Sequence, residues 1–243
     1  MIFRGLLREY LPLNCPLCGG EPFDGIAGHF CAACLKSFRF IHTPACPSCG
    51  GELGGILQIC PDCLHAPHVF PWKRGIAVFR MDGPVKEAIY RYKYRNRPEL
   101  ARAFGQLAAG AVLEAGIHPD VIVPTPLHWF RYLQRGYNQA ELLSQQMGAE
   151  LGFSCRVLVV PVRNLLRRKR WTHQQARLDR EARIRNLDGA FSIRDSTNGK
   201  NGCILLVDDV MTTGSTLTAG ARVLLDAGAA EVNVLVLARR QRD

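Results

Sequence analysis

Four CxxC pairs near the start of the chain constrain its fold more than any other feature. Eight of the ten cysteines lie between residues 15 and 63, and none occurs between Cys63 and Cys155. Two residues between thiols let both sulfurs of a knuckle face one ion, and two knuckles complete a tetrahedral site. Eight thiolates therefore favour two structural zinc ions. The predicted ligands are Cys15, Cys18, Cys31, Cys34, Cys46, Cys49, Cys60 and Cys63.

Two other interpretations of the cysteines stay open. A redox CxxC of the thioredoxin type would use one dithiol, so three companion pairs argue against it. A single zinc ion would use only four thiolates and leave the others free. The proline and two glycines that follow Cys15 recur at the same offsets after Cys46, which predicts a duplicated ribbon. The pairing of the four knuckles is left open.

The cysteines divide the chain into a zinc-ribbon module, residues 1–70, and a larger domain, residues 71–243. Arg4 and Arg8 interrupt the N-terminal apolar residues, so a signal-peptide core is not expected. A stretch of about 18 uncharged apolar residues is also lacking, so we expect no membrane insertion. We therefore expect a cytoplasmic protein, and in that reducing compartment paired cysteines favour metal binding over disulfides.

The larger domain alternates strand and helix patterns. Strands are predicted at 75–81, 121–123, 156–160, 203–207 and 231–237. Helices are predicted at 84–94, 100–115, 138–151 and 215–227. This alternation predicts an α/β fold, a parallel sheet with helices on both faces, preceded by the small zinc-ribbon module. Ligands of such sheets bind beyond the carboxyl ends of the strands.

The sharpest functional motif is residues 204–216, Ile-Leu-Leu-Val-Asp-Asp-Val-Met-Thr-Thr-Gly-Ser-Thr. A buried strand delivers Asp208 and Asp209 to the sheet edge, where carboxylates can accept hydrogen bonds from ribose hydroxyls. The following residues begin a helix, whose N–H groups and hydroxyls suit a phosphate. They are Thr212, Thr213, Gly214, Ser215 and Thr216. Simple helix capping and a magnesium site of a nucleotide-hydrolysing enzyme are the alternatives, but the motif has no Walker A lysine.

This motif resembles the signature loop of type I phosphoribosyltransferases, which bind phosphoribosyl pyrophosphate. Together with the four CxxC pairs, the stretches Tyr92-Lys93-Tyr94 and Arg135-Gly136-Tyr137-Asn138-Gln139 and the pattern between Thr172 and Phe191 resemble the ComF family. The resemblance covers essentially the whole chain and implies the type I phosphoribosyltransferase fold. It also implies an association with DNA uptake in natural competence, in a family whose reaction is generally unassigned.

The resemblance implies roles for individual residues. Asp208 and Asp209 would contact the ribose hydroxyls, and residues 212–216 would contact the 5′-phosphate. Pro124 and Thr125 would belong to the loop whose amides face pyrophosphate. Arg135 would be a charge partner for that pyrophosphate, or else a solvated surface charge. Mg²⁺ would accompany the ligand, while the acceptor of the phosphoribosyl group is not indicated.

The formal charge of +10 is concentrated in residues 163–185, where nine Lys or Arg face two acidic residues, a net charge of +7. The segment is expected to form a lid over the ligand, a track for single-stranded DNA, or a solvated basic helix. A phosphoribosyltransferase is the first functional hypothesis. A non-catalytic protein that binds nucleotides or single-stranded DNA is the second, and a sensor of phosphoribosyl pyrophosphate is the third. Competence proteins are expected partners.

Overall fold

The computed structural model describes residues 14–23, 29–65, 69–154, 159–168, 190–194 and 201–241. Residues 169–185 of the predicted basic segment lie outside these ranges. The helices are α1 (Ala32–Ser37), α2 (Pro61–Leu64), α3 (Gly83–Tyr94), α4 (Leu100–Glu114), α5 (Trp129–Arg135), α6 (Gln139–Ser154) and α7 (Ser215–Asp226). The strands are β1 (Gly75–Arg80), β2 (Val121–Pro124), β3 (Leu166–Arg168), β4 (Phe191–Ile193), β5 (Cys203–Met211) and β6 (Glu231–Arg239).

The central sheet has four parallel strands in the order β1-β6-β5-β2. Its middle strands are continuous aliphatic runs, as expected where a parallel sheet is covered on both faces. Strand β5 is four residues longer than predicted, because pairing with β6 continues to the pair Met211 and Arg239. Asp208 and Asp209 therefore lie within the strand rather than after it.

Helices cover both faces of the sheet, which confirms the predicted fold class. On one face, α4 and α6 pack together over Leu205, Val207 and Leu235. On the other face, α7 packs over Leu206 and Val234. Since successive strand residues point to opposite faces, the fully apolar strand sequences supply both cores.

Two elements near the ends of the sheet were not predicted from the sequence. The short helix α5 follows β2, and the antiparallel pair of β3 and β4 packs against α7. The strand predicted at 156–160 lies partly outside the described residues. In the described part, the chain pairs with β2 slightly later, through an isolated bridge between Val162 and Ile122.

The ribbon repeats one turn twice, as the sequence offsets predict. The Cys15 N–H donates to the Gly20 carbonyl at 2.6 Å, and the Cys46 N–H donates to the Gly51 carbonyl at 2.8 Å. In each turn a second N–H returns to the carbonyl of the leading cysteine. The hydrogen bonds therefore match at equivalent positions, which supports a duplicated knuckle.

The ribbon covers the β1 edge of the sheet. Isolated bridges join Phe40 to Phe79 and Gly50 to Ile76. A Cβ on Gly50, whose φ is +69°, would lie 2.3 Å from the Ala77 nitrogen, so the two backbones are in direct contact. Because an uncovered edge strand invites pairing with other chains, the ribbon protects the sheet. Among the described residues, no helix has the length and apolar character needed to cross a bilayer.

Candidate functional site

The two adjacent carboxylates of β5 lie beside a lysine of α3. The Lys93 ammonium is 2.8 Å from Asp209 Oδ1, and both side chains are largely buried. The Asp209 N–H donates to Asp208 Oδ1 at 2.9 Å. The pair is therefore partly neutralised by one lysine, and each carboxylate, with about four acceptor sites, can accept further hydrogen bonds from a ligand.

Burial and the neighbouring charge of Asp209 raise the pKa of Asp208 to about 6. Lys93, the Asp209 N–H and the Thr125 side chain oppose this shift without cancelling it. A carboxylate costs free energy when it is removed from water, and more when a like charge is adjacent. Ionised Asp208 therefore lowers the stability of the ligand-free fold. A ligand with hydroxyl donors, or a cation, would offset this free-energy cost.

We predict that Asp208→Asn stabilises the ligand-free protein relative to the native chain, and that this stabilisation is larger at pH 8 than at pH 5. The pKa of this carboxyl is about 6 when folded and about 4 when unfolded, so folding stability falls as pH rises through that interval. The amide has no such penalty, so its advantage should be about 2–3 kcal/mol at pH 8, roughly half of that at pH 5, and close to zero at about pH 3. Thermal unfolding across this range measures it.

An advantage of equal size at pH 5 and pH 8 would contradict the titration of Asp208. Glu114→Gln is a suitable control, because Glu114 lies exposed at the end of α4, away from the carboxylate pair. This control is expected to show no gain between pH 5 and pH 8.

The loop after β5 leads into the N-terminus of α7. Gly214 is the N-cap residue, with φ 78° and ψ 1°, and no side chain caps the helix. The Thr213 and Ser215 hydroxyls are hydrogen-bonded to each other at 3.0 Å. The Ser215 N–H reaches the Thr213 hydroxyl only at 3.5 Å, so the first-turn N–H groups and the two adjacent hydroxyls form a site suited to a phosphate.

The end of β2 lies directly next to the carboxylates. Pro124 is in register with Val207, and the Thr125 N–H donates to the Val207 carbonyl at 2.8 Å. The Asn138 amide donates to the Thr125 carbonyl at 3.0 Å, while its oxygen caps α6 by accepting from the Ala140 N–H. The predicted pyrophosphate loop is thus anchored from both sides.

Several arginines approach the carboxylate pair. Arg135 donates to Gln139 Oε1 at 3.0 Å and to the Tyr94 hydroxyl at 3.2 Å, with its guanidinium 4.9 Å from the Tyr94 ring centroid. Burial and the charge of Arg135 lower the pKa of Arg131, and burial and the charge of Arg131 lower that of Arg168. Cations that repel one another while partly buried favour an anionic ligand.

A cleft of about 490 Å³ opens next to this cluster. Lys93 and Arg135 line it, together with Tyr94, Asn96 and Gln134. Lys93 lines the cleft and also pairs with Asp209, so the cleft borders the carboxylate site.

The eight ribbon cysteines form two groups of four. One group contains Cys15, Cys18, Cys31 and Cys34, and the other contains Cys46, Cys49, Cys60 and Cys63. Within each group the sulfur atoms lie within 4.8 Å of one another. A tetrahedral tetrathiolate zinc site has sulfurs about 3.8 Å apart, so both groups fit the metal. The structure therefore pairs consecutive knuckles and indicates two structural zinc sites.

The fold brings most of the predicted site residues into one region. Asp208, Asp209 and Thr125 are in contact, and residues 212–216 follow directly after β5, in the loop and the first turn of α7. Arg135 lies at the neighbouring cleft. Sequence reasoning missed Lys93 as a site residue, although the Tyr92-Lys93-Tyr94 stretch was a signal, and it missed Arg131.

Comparison with known proteins identifies the two parts of the chain. The model of the family described as phosphoribosyl transferase domain matches residues 92–243. The model described as double zinc ribbon domain matches residues 6–64. The chain is thus a phosphoribosyltransferase-fold protein with a double zinc ribbon.

Individual relatives narrow the classification. Competence protein F of Haemophilus influenzae is 36% identical over 240 residues, which cover 96% of this chain and 100% of that protein. Competence protein ComFC of Bacillus subtilis is 29% identical, over 86% of this chain and 83% of that protein. A purine phosphoribosyltransferase structure from Pyrococcus horikoshii is 17% identical, over 57% of this chain and 82% of that one, with a TM-score of 0.33. The chain belongs to the ComF family.

Proposed function

We propose that this protein binds phosphoribosyl pyrophosphate, or a related ribose 5-phosphate ligand, at the carboxyl ends of β5 and β2. The single observation that carries the proposal is the position of two adjacent, largely buried carboxylates shortly before the N-terminus of α7, whose N-cap residue Gly214 has no side chain. Ribose hydroxyls would donate to Asp208 and Asp209, and the 5′-phosphate would accept from the loop at 212–216.

The cations around the site support a diphosphate as part of the ligand. Lys93, Arg131 and Arg168 approach the carboxylates from α3, α5 and β3. The backbone at Pro124 and Thr125 would face the pyrophosphate. Transfer of the phosphoribosyl group to an acceptor would release that pyrophosphate, and the arginines would stabilise the departing charge.

Magnesium fits the same donor set. Mg²⁺ is usually held by one or two carboxylates together with ligand phosphates and waters, and Asp208 and Asp209 are two such carboxylates side by side. When bound, Mg²⁺ would neutralise pyrophosphate charge.

We predict that Asp209→Asn lowers the affinity for phosphoribosyl pyrophosphate by about tenfold to hundredfold. A hydrogen bond to a charged group contributes about 1.5–3 kcal/mol, and 1.4 kcal/mol is a tenfold change. Calorimetric titration with and without MgCl2 measures the affinity. Asp226→Asn, a charge removal at the exposed C-terminal end of α7, is the matched control and should leave the affinity unchanged.

A second candidate function is the binding of single-stranded DNA in the same region. Trp129 and Tyr132 are exposed on α5 on either side of Arg131, and bases can stack on exposed aromatic rings. An oligonucleotide added to the calorimetry cell separates the two functions. Competition with phosphoribosyl pyrophosphate would support a shared site, and DNA binding that is unaffected by Asp209→Asn would place the DNA elsewhere.

The relatives' names support a cellular context. Proteins named for competence are similar to this chain over most of its length. We propose that the chain acts on nucleotides or single-stranded DNA during DNA uptake, together with competence proteins in the cytoplasm. Undiminished ligand binding by Asp209→Asn, or none by the native chain, would refute the ligand assignment.

A further inference from the structure

The last residue of β6 connects the second zinc site to the phosphate loop. The Arg239 side chain is only 3% exposed, although arginine is seldom buried without partners. We infer that Arg239 and Asp62 are positioning residues through which zinc at Cys46, Cys49, Cys60 and Cys63 sets the geometry of the phosphate loop. This inference rests on the proposed function, because it concerns affinity for the ribose phosphate.

Arg239 contacts both structures directly. Its Nη1 donates to the carbonyls of Met211, at 3.3 Å, and Thr212, at 2.5 Å. Its Nη2 lies 3.2 Å from Asp62 Oδ2. Asp62 stands between Cys60 and Cys63 in the four-residue helix α2, so one guanidinium links a zinc knuckle to the two residues before Thr213.

An aromatic contact provides a second link between the same parts. Trp72 Nε1 donates to the Ser48 carbonyl, within the Cys46–Cys49 knuckle, at 2.7 Å. Phe70 stacks on Trp72 with ring centroids 4.3 Å apart. The Phe70 ring lies 2.9 Å from the position that a Cβ on Gly214 would take, so it closely supports the N-cap of α7.

The link between Asp62 and Arg239 depends on the metal. A four-residue helix has no stability of its own, so α2 depends on the two thiolates that flank Asp62 being bound to zinc. Without zinc, Asp62 would lose its fixed position and leave a buried arginine without its carboxylate partner. Such a loss costs several kcal/mol, so Arg239 would move toward water and release the Thr212 carbonyl.

The first zinc site serves as an internal control. Cys15, Cys31 and Cys34 pack into the core on the α4 face, whereas Cys46, Cys49 and Cys60 pack into the core on the α7 face. The first site is also linked to the larger domain by an arginine, because Arg91 donates to the Leu17 carbonyl at 2.9 Å. That link leads to α3 rather than to the phosphate loop.

The test measures zinc release and ligand affinity together. Coupling between two sites is reciprocal, so ribose 5-phosphate should slow the release of one of the two zinc ions to a chromogenic chelator. In Asp62→Ala we expect two zinc ions per chain, at least tenfold weaker ribose 5-phosphate binding by calorimetry, and no protection of either ion. Arg91→Ala should keep both the affinity and the protection of one ion.

If Asp62→Ala folds poorly, the same test can be made with either of two milder variants, Asp62→Asn or Arg239→Lys. Native affinity in a fully zinc-loaded Asp62→Ala, or equal protection of both ions in the native chain, would overturn the inference. Failure of the native chain to bind ribose 5-phosphate would instead refute the proposed function, and this inference with it.

Discussion

Removal of zinc is expected to lower the melting temperature of this protein by at least about 10 °C. Structural zinc contributes about 10–16 kcal/mol to the folding of zinc-finger peptides, and here two tetrathiolate sites are indicated. Even a net loss of about 5 kcal/mol lowers Tm by about 10–20 °C in a chain of this size. Thermal unfolding in 1,10-phenanthroline measures the effect.

The expected effect extends beyond the ribbon. Phe30 and Phe38 of the ribbon pack at the edge of the core that also holds Phe79 and Phe104. Loss of the ribbon would expose these rings and the β1 edge, so we also expect aggregation. The non-chelating isomer 1,7-phenanthroline is the control. An unchanged Tm in zinc-free protein would contradict a structural role for the metal.

The regular elements of the larger domain were predictable because they follow local patterns. Aliphatic runs predicted β5 and β6, and the proline at position 84 predicted the start of α3 within one residue. The ends of the strands were less predictable, because pairing with a neighbour decides them. Asp208 looked like a loop residue in the sequence, but the register between β5 and β6 extends the strand past it.

The site residues that belong to one continuous segment of the sequence were predictable. Asp208, Asp209 and residues 212–216 form such a segment, and the structure keeps them together. Lys93 and Arg239 were not predictable as partners, because Lys93 in α3 lies 116 residues before Asp209 and Arg239 in β6 lies 27 residues after Thr212. A single lysine or arginine in a sequence carries no mark of the carboxylate or carbonyl that it will meet.

In the zinc ribbon, too, local features were predictable from the sequence and the pairing of distant residues was not. Spacing within each CxxC predicted the ligands, and repeated offsets predicted the matching turns. The pairing of knuckles stayed open, because any two could complete a tetrahedral site. Contacts outside the ribbon distinguish the two sites, since the first group packs toward α4 and the second toward α7.

Replacement of Gly214 by alanine is expected to weaken ribose 5-phosphate binding by more than about a hundredfold. The φ of 78° costs an alanine about 1–2 kcal/mol. The new Cβ would also lie 2.6 Å from the Met211 methyl group and 2.9 Å from the Phe70 ring. The methyl group can move, but stacking on Trp72 holds Phe70, so the N-terminus of α7 must shift instead.

Gly116→Ala separates this shift from backbone strain alone. Gly116 has a φ of 66° at the end of α4, and a Cβ there would meet no atom within 4 Å. Both variants should lose about 1–2 kcal/mol of stability to strain, but only Gly214→Ala should lose affinity for ribose 5-phosphate. Calorimetry and thermal unfolding of both variants test this. The substitution is expected to displace the first residues of α7. Retained affinity in Gly214→Ala would therefore show that binding of the phosphate does not depend on the position of the α7 N-terminus.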